Sequence, residues 1–345
     1  MTDISDHMTS VLGRAKSAKR TLLLAFPGFL VSVTIAMAAM FLSEHYGAPV
    51  MLFALLLGMA FNFLSQHGSC VPGINMTSKN ILRIGVALLG ARITFDQIIS
   101  LGVAPLVAII TAVALTILVG VWISRAMGLG RRLGVLTGGA VAICGASAAL
   151  AIAAVLPKTE KGEQETIFTV LGVTTLSTVA MVAYPIIVLV LGLEPQKAGI
   201  FLGGTIHDVA QVVGAGYSIS DQVGDTATFT KLLRVAMLLP AVMTLSLVLS
   251  KKDGGRRQKF VLPLPGFLYA FAALVVVNSS NGLPVPVQSI LIEISRWCLV
   301  SAIAALGMKT SLKTLVEIGF RPVALMVAET LFLAALIIGF VKFVI

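Results

Sequence analysis

The chain has 345 residues, of which 57% are hydrophobic and only 12% charged, with a formal net charge of +10 and a mean hydropathy of +1.00. An ordinary soluble domain carries about 45–50% apolar and about 25% charged residues. Soluble enzymes, disordered chains and nucleic-acid modules are therefore excluded, and a bilayer-embedded protein is the class that remains.

A spanning helix needs about 20 mostly apolar residues. In chain order the apolar runs predict helices near 22–42, 49–64, 78–95, 103–123, 133–156, 166–191, 198–216, 230–249, 264–277, 287–306 and 323–344, the ninth of them short. Residues 1–21 form a basic cytoplasmic segment with Arg14, Lys16, Lys19 and Arg20. The apolar run that follows is longer than the 7–15 residues of a cleavable signal, so it is read as a retained first span. Linkers are brief, and residues 22–345 are taken as one transmembrane domain with repeat halves at 22–191 and 198–345.

Positive charge tests this topology. With the N-terminus in the cytoplasm, 17 of the 25 Lys and Arg residues fall on the cytoplasmic side. Arg92, Lys158, Lys161, Lys231 and Lys342 fall outside, while Arg83, Arg234 and Arg296 lie within spans. The asymmetry supports eleven spans with the N-terminus in the cytoplasm and the C-terminus outside.

Three internal echoes occur. Residues 82–108 align without a gap on 299–325, pairing Leu89-Gly90 with Leu306-Gly307, Arg92 with Lys309 and Pro105 with Pro322. An odd number of spans separates these copies, as in the inverted repeats of secondary transporters. Pro27-Gly28-Phe29-Leu30 returns at 265–268, and Gly134, Gly138 and Gly139 match Gly199, Gly203 and Gly204. Both of these imply parallel copies, unless a glycine-rich segment re-enters the membrane instead of crossing it.

The glycine-rich segments are where chemistry is expected. Residues 138–151 read GGAVAICGASAALA, and 199–216 read GIFLGGTIHDVAQVVGAG. Glycine costs a helix about 1 kcal/mol relative to alanine. One reading is close helix packing through the Gly134/Gly138 and Gly199/Gly203 faces. The other is a pair of helices broken near the midplane, whose half-helix N-termini turn N–H groups and positive dipole ends toward an anion. On that reading Gly138, Gly139, Cys144, Gly145 and Ser147, with Gly203, Gly204, Thr205 and Gln211, cradle a substrate, and Thr137 adds a hydroxyl. His207 and Asp208 are the only adjacent ionisable pair within a predicted span. A carboxylate beside an imidazole suits exchange of a proton or cation. Arg83, Arg234 and Glu329 are minor candidates for an anion or charge site.

No P-loop and no H-E-x-x-H motif occurs, and Cys70, Cys144 and Cys298 lack metal-ligand spacing. The chain is therefore not expected to be an enzyme, and neither cofactor nor metal is expected.

At GGAVAICGASAALA (138–151), GGTIHDVAQVVGAG (203–216) and LLGARITF (88–95), the sequence resembles the bacterial inner-membrane family named for sulfate export. The resemblance implies a transporter, distantly similar to inverted-repeat carriers with crossing broken helices, such as the bile acid/sodium symporter and sodium/proton antiporter folds. Together these readings predict an all-α polytopic membrane protein with about eleven transmembrane helices, inverted repeats and two discontinuous glycine-rich helices near the midplane. The expected function is secondary active transport of a small anion, such as sulfate or a related oxyanion, by alternating access with protons or sodium as coupling ion, and export as its direction. The rivals are an uncoupled anion channel or uniporter, and a membrane-embedded enzyme or assembly subunit. The expected partners are the anion, the coupling ion and the bilayer, with a homodimer left open and nucleic acid excluded.

Overall fold

The computed structural model describes residues 2–47, 49–66, 68–100, 102–157, 159–250, 265–280, 282–310 and 320–344. Among them there is helix and no strand. The helices are α1 Thr2–Tyr46, α2 Val50–Ala60, α3 Val71–Met76, α4 Leu82–Leu88, α5 Phe95–Ser100, α6 Ala104–Ala126, α7 Arg131–Ala142, α8 Ala146–Val155, α9 Gly162–Val190 and α10 Pro195–Thr205. They continue with α11 Val209–Tyr217, α12 Asp221–Ala236, α13 Leu238–Ser250, α14 Gly266–Ser279, α15 Val285–Lys309 and α16 Phe320–Phe343.

Six stretches are long and apolar enough to cross a bilayer: Leu23–Tyr46, Ala104–Ala126, Gly162–Val190, Asp221–Leu247, Val285–Lys309 and Phe320–Phe343. Only 33% to 50% of each is buried, and Leu118, Trp122, Leu189 and Val190 are among the large apolar side chains left exposed. Apolar outer faces of this extent suit lipid. The expected spans at 49–64 and 264–277 are represented by the shorter helices α2 and α14. The expected span at 78–95 is interrupted by a π-turn at Thr77–Ile81 and a 3₁₀ turn at Leu89–Ala91. α1 runs through the expected boundary at residue 21 without a break.

The chain divides into two compact units. The first holds residues 1–85 and 296–310. There Gly28 of α1 and Gly73 of α3 let two backbones meet, since a Cβ at either would overlap the other helix's main chain. Asn62 closes the end of α15 by donating to Met308 O at 2.6 Å and Thr310 O at 3.0 Å. The second unit holds residues 86–295 and 311–345.

The runs at 133–156 and 198–216 both break, at 143–145 and 206–208, but neither continues across as a discontinuous spanning helix. Each folds back on itself. In the first, Gly145 at φ 66°, ψ −126° takes the chain through a conformation that side chains rarely adopt. As a result Gly139 of α7 lies against Ile152 of α8. At the open end the Arg132 guanidinium donates to Pro157 O at 3.2 Å and pairs with Glu165. Residues 25 apart could not meet in this way along a continuing helix, which rises about 1.5 Å per residue. In the second hairpin, α10 and α11 run along opposite directions of α12. Gly199 and Gly203 face Thr226, Ala227 and Thr230, while Gly216 faces Gly224 and Ala227. Asp208 starts the return arm as its N-cap, Oδ1 accepting from Ala210 N at 2.8 Å.

Close packing and helix breaking, posed as alternatives from the sequence, coexist. Gly134 and Gly138 bring α7 against the backbone of α6, and Gly199 and Gly203 bring α10 against α12. The PGFL echo has no structural counterpart, because Pro27 lies inside α1 whereas Pro265 is the N-cap of α14. In the second copy of the 82–108 repeat, positions 311–319 lie outside the described residues.

Candidate functional site

The two hairpin tips touch. A Cβ built on Gly145 would stand 3.6 Å from His207 Cβ, so the first tip packs on the second. Breaking a helix leaves its last carbonyls without intrahelical donors, and here two arms, α7 and α10, end in the protein interior. Lys231 and Arg234, one helical turn apart on α12, supply the donors. Lys231 Nζ donates to Ile143 O at 2.8 Å and to Ile206 O at 3.0 Å, one carbonyl from each tip. Arg234 donates from Nη2 to Val141 O at 2.8 Å and from Nε to Ala142 O at 2.9 Å. Its Nη1 reaches Ile206 O at 3.0 Å and Gly203 O at 3.2 Å.

Both cations are fully buried. A charge at mid-bilayer depth costs about 2.5–3.5 kcal/mol on insertion scales, while a hydrogen bond to a charged group contributes about 1.5–3 kcal/mol. Arg234 makes four such bonds, so the bonds outweigh its burial. The negative dipole ends of α7 and α10 add to the same balance.

The tips are also held from two other sides. His207 is fully buried, with Nδ1 3.2 Å from Val141 O and Nε2 3.1 Å from Thr330 Oγ1 on α16. From α9, Ser177 Oγ accepts from Asp208 N at 3.0 Å, and Thr178 Oγ1 accepts from Gln211 Nε2 at 2.9 Å. The Gln211 Oε1 atom is buried without a partner among the described residues.

The structure therefore sorts the residues singled out from the sequence. Cys144, Gly145, His207 and Asp208 meet at the tips. Cys144 is buried, directly before Gly145. Ser147 is on the exposed side of α8, and Asp208 and Val209 are half-buried, so the N-terminal ends of both return arms are the accessible part of the junction. Gly138 packs on α6, Gly139 on Ile152, Gly203 on α12 and Gly204 on Ile337 of α16. Thr205 bonds back to Phe201 O at 2.6 Å, and Thr137 donates to Glu329 Oε1 at 2.8 Å. The side-chain positions of these six stand beside the junction, to which Gly203 contributes only its carbonyl, as an acceptor from Arg234.

Lys231 is the residue that sequence reasoning misplaced. Hydropathy starts a span at 230 and makes Lys231 an external flank, whereas α12 begins at Asp221 and carries Lys231 into the interior. The available signal was the i, i+3 pair Lys231/Arg234, which a helix sets on one face. Arg234, a minor candidate from sequence, proves central, and Thr330, Ser177 and Thr178 were not singled out.

The outer ends of the hairpins are closed by ion pairs. At the first stands Arg132 with Glu165. At the second, Arg92 pairs with Asp221 and with Asp225, each at 2.9 Å, and Tyr217 Oη donates to Asp225 at 2.5 Å.

Membrane-length apolar helices with exposed lipid-like faces, joined to hairpins whose inner ends are tied by buried cations, define a multi-pass helical membrane protein. A family described as conserved hypothetical protein 698 matches residues 27–326, which include all three motif segments. A UPF0324 membrane protein of Chlorobaculum tepidum is 58% identical over 331 residues, covering 95% of this chain and 92% of its own. The UPF0324 membrane protein TauZ of Paracoccus pantotrophus is 52% identical over 319 residues, covering 91% and 94%. A UPF0324 membrane protein of Bacillus cereus is 31% identical over 300 residues, covering 85% and 87%. The chain belongs to the UPF0324 membrane-protein family. No solved structure matches it.

Proposed function

We propose that this protein is a secondary active carrier of a small anion, working by alternating access at the junction of the two hairpin tips. The observation that carries the proposal is the pair of back-folded hairpins meeting on Lys231 and Arg234. Their arms of 9 to 12 residues reach roughly 14–18 Å at the rise of an α-helix, about half of a 30 Å hydrocarbon core. Hairpins of that depth re-enter instead of crossing. Because α9 alone separates them, they come in from opposite faces.

That arrangement brings the glycine echo into line with the long one. Gly134, Gly138 and Gly139 then relate to Gly199, Gly203 and Gly204 by inversion, as do 82–108 and 299–325. It also improves the charge asymmetry. Lys158 (outside the described residues) and Lys161 move to the cytoplasmic side, Lys197 moves outside, and Lys231 joins the interior. Cytoplasmic against external Lys and Arg then stand at 18 to 3, with four within the membrane, in place of 17 to 5 with three.

The accessible N-termini of α8 and α11, with the Ser147 hydroxyl, offer backbone donors to an oxyanion. Lys231 uses two of the three donors an ammonium possesses and keeps one for the substrate. Carrier sodium sites use unwound carbonyls and half-helix C-termini. Here those groups already accept from Arg234 and Lys231, which favours the proton as coupling ion, with His207 and Asp208 as the titratable groups at the junction. Export of an anion such as sulfate is the direction and substrate class we assign.

The test is radiolabelled sulfate flux in liposomes, with and without imposed pH and sodium gradients, repeated with Asp208→Asn. Accumulation driven by the pH gradient and lost in the variant is expected. Flux indifferent to both gradients would make the protein an uncoupled pathway.

A further inference from the structure

Glu329, in the middle of α16, has no exposed surface. Its Oε1 accepts the Thr137 hydroxyl at 2.8 Å, and its Oε2 has no partner among the described residues. No cation pairs with it among the described residues. Gly120 and Gly134 open the space it fills: a Cβ at Gly120 would overlap Oε1, and Gly134 sits against the Gly120 main chain. An uncompensated buried carboxylate costs far more than an apolar side chain of the same size. A carboxyl kept in such a niche is therefore suited to carrying a proton.

A groove reaches the residue that holds it. A groove of about 260 Å³ is lined by Gly128, Lys161, Gln164, Glu165, Thr137 and Met326, among others. It runs from the open end of the first hairpin to Thr137, the residue that holds Glu329. That volume accommodates several waters, each of which occupies about 30 Å³ in the liquid. Of the elements packed on α16, α7 brings Arg132 and α9 brings Glu165, with Lys161 at its N-cap and with Arg132 and Glu165 paired to each other. α6 brings Gly120, and α10 brings Gly204 and is followed by His207. The adjacent residue Thr330 bonds His207 Nε2 at 3.1 Å, so α16 grips the first hairpin through Glu329 and the second tip through Thr330.

We propose that Glu329 is a proton-binding site, loaded through this groove, whose proton is exchanged as the hairpins rearrange. The inference rests on the carrier reading and deepens its coupling step. Loading transfers a proton from hydronium in the groove to Oε2, forming the carboxyl O–H and leaving water. Release breaks that O–H bond and returns the proton to water. While loaded, the uncharged carboxyl keeps the Thr137 contact. When it is unloaded, the carboxylate draws water or a donor into the niche and loosens α7 from α16.

The test is pH-difference infrared spectroscopy of the purified protein in lipid nanodiscs, following the stretch of a protonated carboxyl. The expected result is a pH-dependent band lost in Glu329→Gln and kept in Asp208→Asn. A band set identical in wild type and Glu329→Gln would overturn the proposal. Size-exclusion monodispersity checks the fold, and should Glu329→Gln not fold, Glu329→Asp must shift the band, an unshifted band being equally fatal. In liposomes, Glu329→Gln is expected to lose the response of anion accumulation to the pH gradient. If wild type carries no anion at all, the carrier reading fails while the infrared result still decides whether Glu329 binds a proton.

Discussion

Replacing Arg234 by Met keeps the bulk of the side chain and removes all four of its hydrogen bonds. The carbonyls of Ala142 and Gly203 lose the one side-chain donor they have, whereas Ile206 O keeps Lys231 and Val141 O keeps His207. Four charge-assisted bonds at about 1.5–3 kcal/mol each amount to roughly 6–12 kcal/mol gross. Removing the buried charge returns about 2.5–3.5 kcal/mol, and water or relaxed backbone recovers part of the rest. A net loss of about 3–5 kcal/mol is expected, the range found when one partner of a buried charged network is deleted. At about 2–4 °C per kcal/mol for a folding unit of roughly this size, Tm in detergent should fall by on the order of 10 °C. Hydrogen exchange should accelerate at 141–145 and 203–208 before it does elsewhere in the second unit. Arg234→Lys should fall between the two, because it keeps charge but loses the planar fork. An unchanged Tm with unchanged exchange at both tips would refute the idea that this side chain ties the hairpins together.

Further outcomes are expected elsewhere. Gly145→Ala has room for its Cβ but not the backbone freedom, so it should cost about 1–3 kcal/mol from strain at positive φ, read by thermal unfolding. Gly203→Ala collides with the main chain of Ala227 and should cost about 1–3 kcal/mol as overpacking, whereas Gly266→Ala, with nothing within 4 Å, should leave Tm level or slightly raised. Arg92→Gln cuts the pairs to Asp221 and Asp225 at the outer end of the second hairpin. Because Arg92 is 26% exposed, Tm should move little, as partly exposed pairs contribute about 0–1 kcal/mol. Exchange at 217–221 should nonetheless rise, and a protected segment there would argue against the clamp.

The apolar excess, the run lengths and the cation asymmetry were enough to establish a multi-pass helical membrane protein from the sequence, because lipid demands internally bonded backbone and an apolar exterior. The sequence also marked the two glycine-rich segments as places where a helix could break, because glycine content is a local property, though it did not single out Gly145 as the reversal or Asp208 as the cap of a new helix. What it could not decide was the direction taken after each break. Glycine permits a continuing, bent or reversed chain alike, and the choice rests on contacts between distant residues, such as Arg132 with Pro157 and Gly216 with Ala227. Lys231 was hidden for the same reason, and Arg234 stood out only as a minor candidate within a span. Hydropathy reads a lysine as a membrane flank, and only the tertiary structure supplies the six carbonyl contacts, from α7, α10 and their tips, that let these two cations lie in the interior.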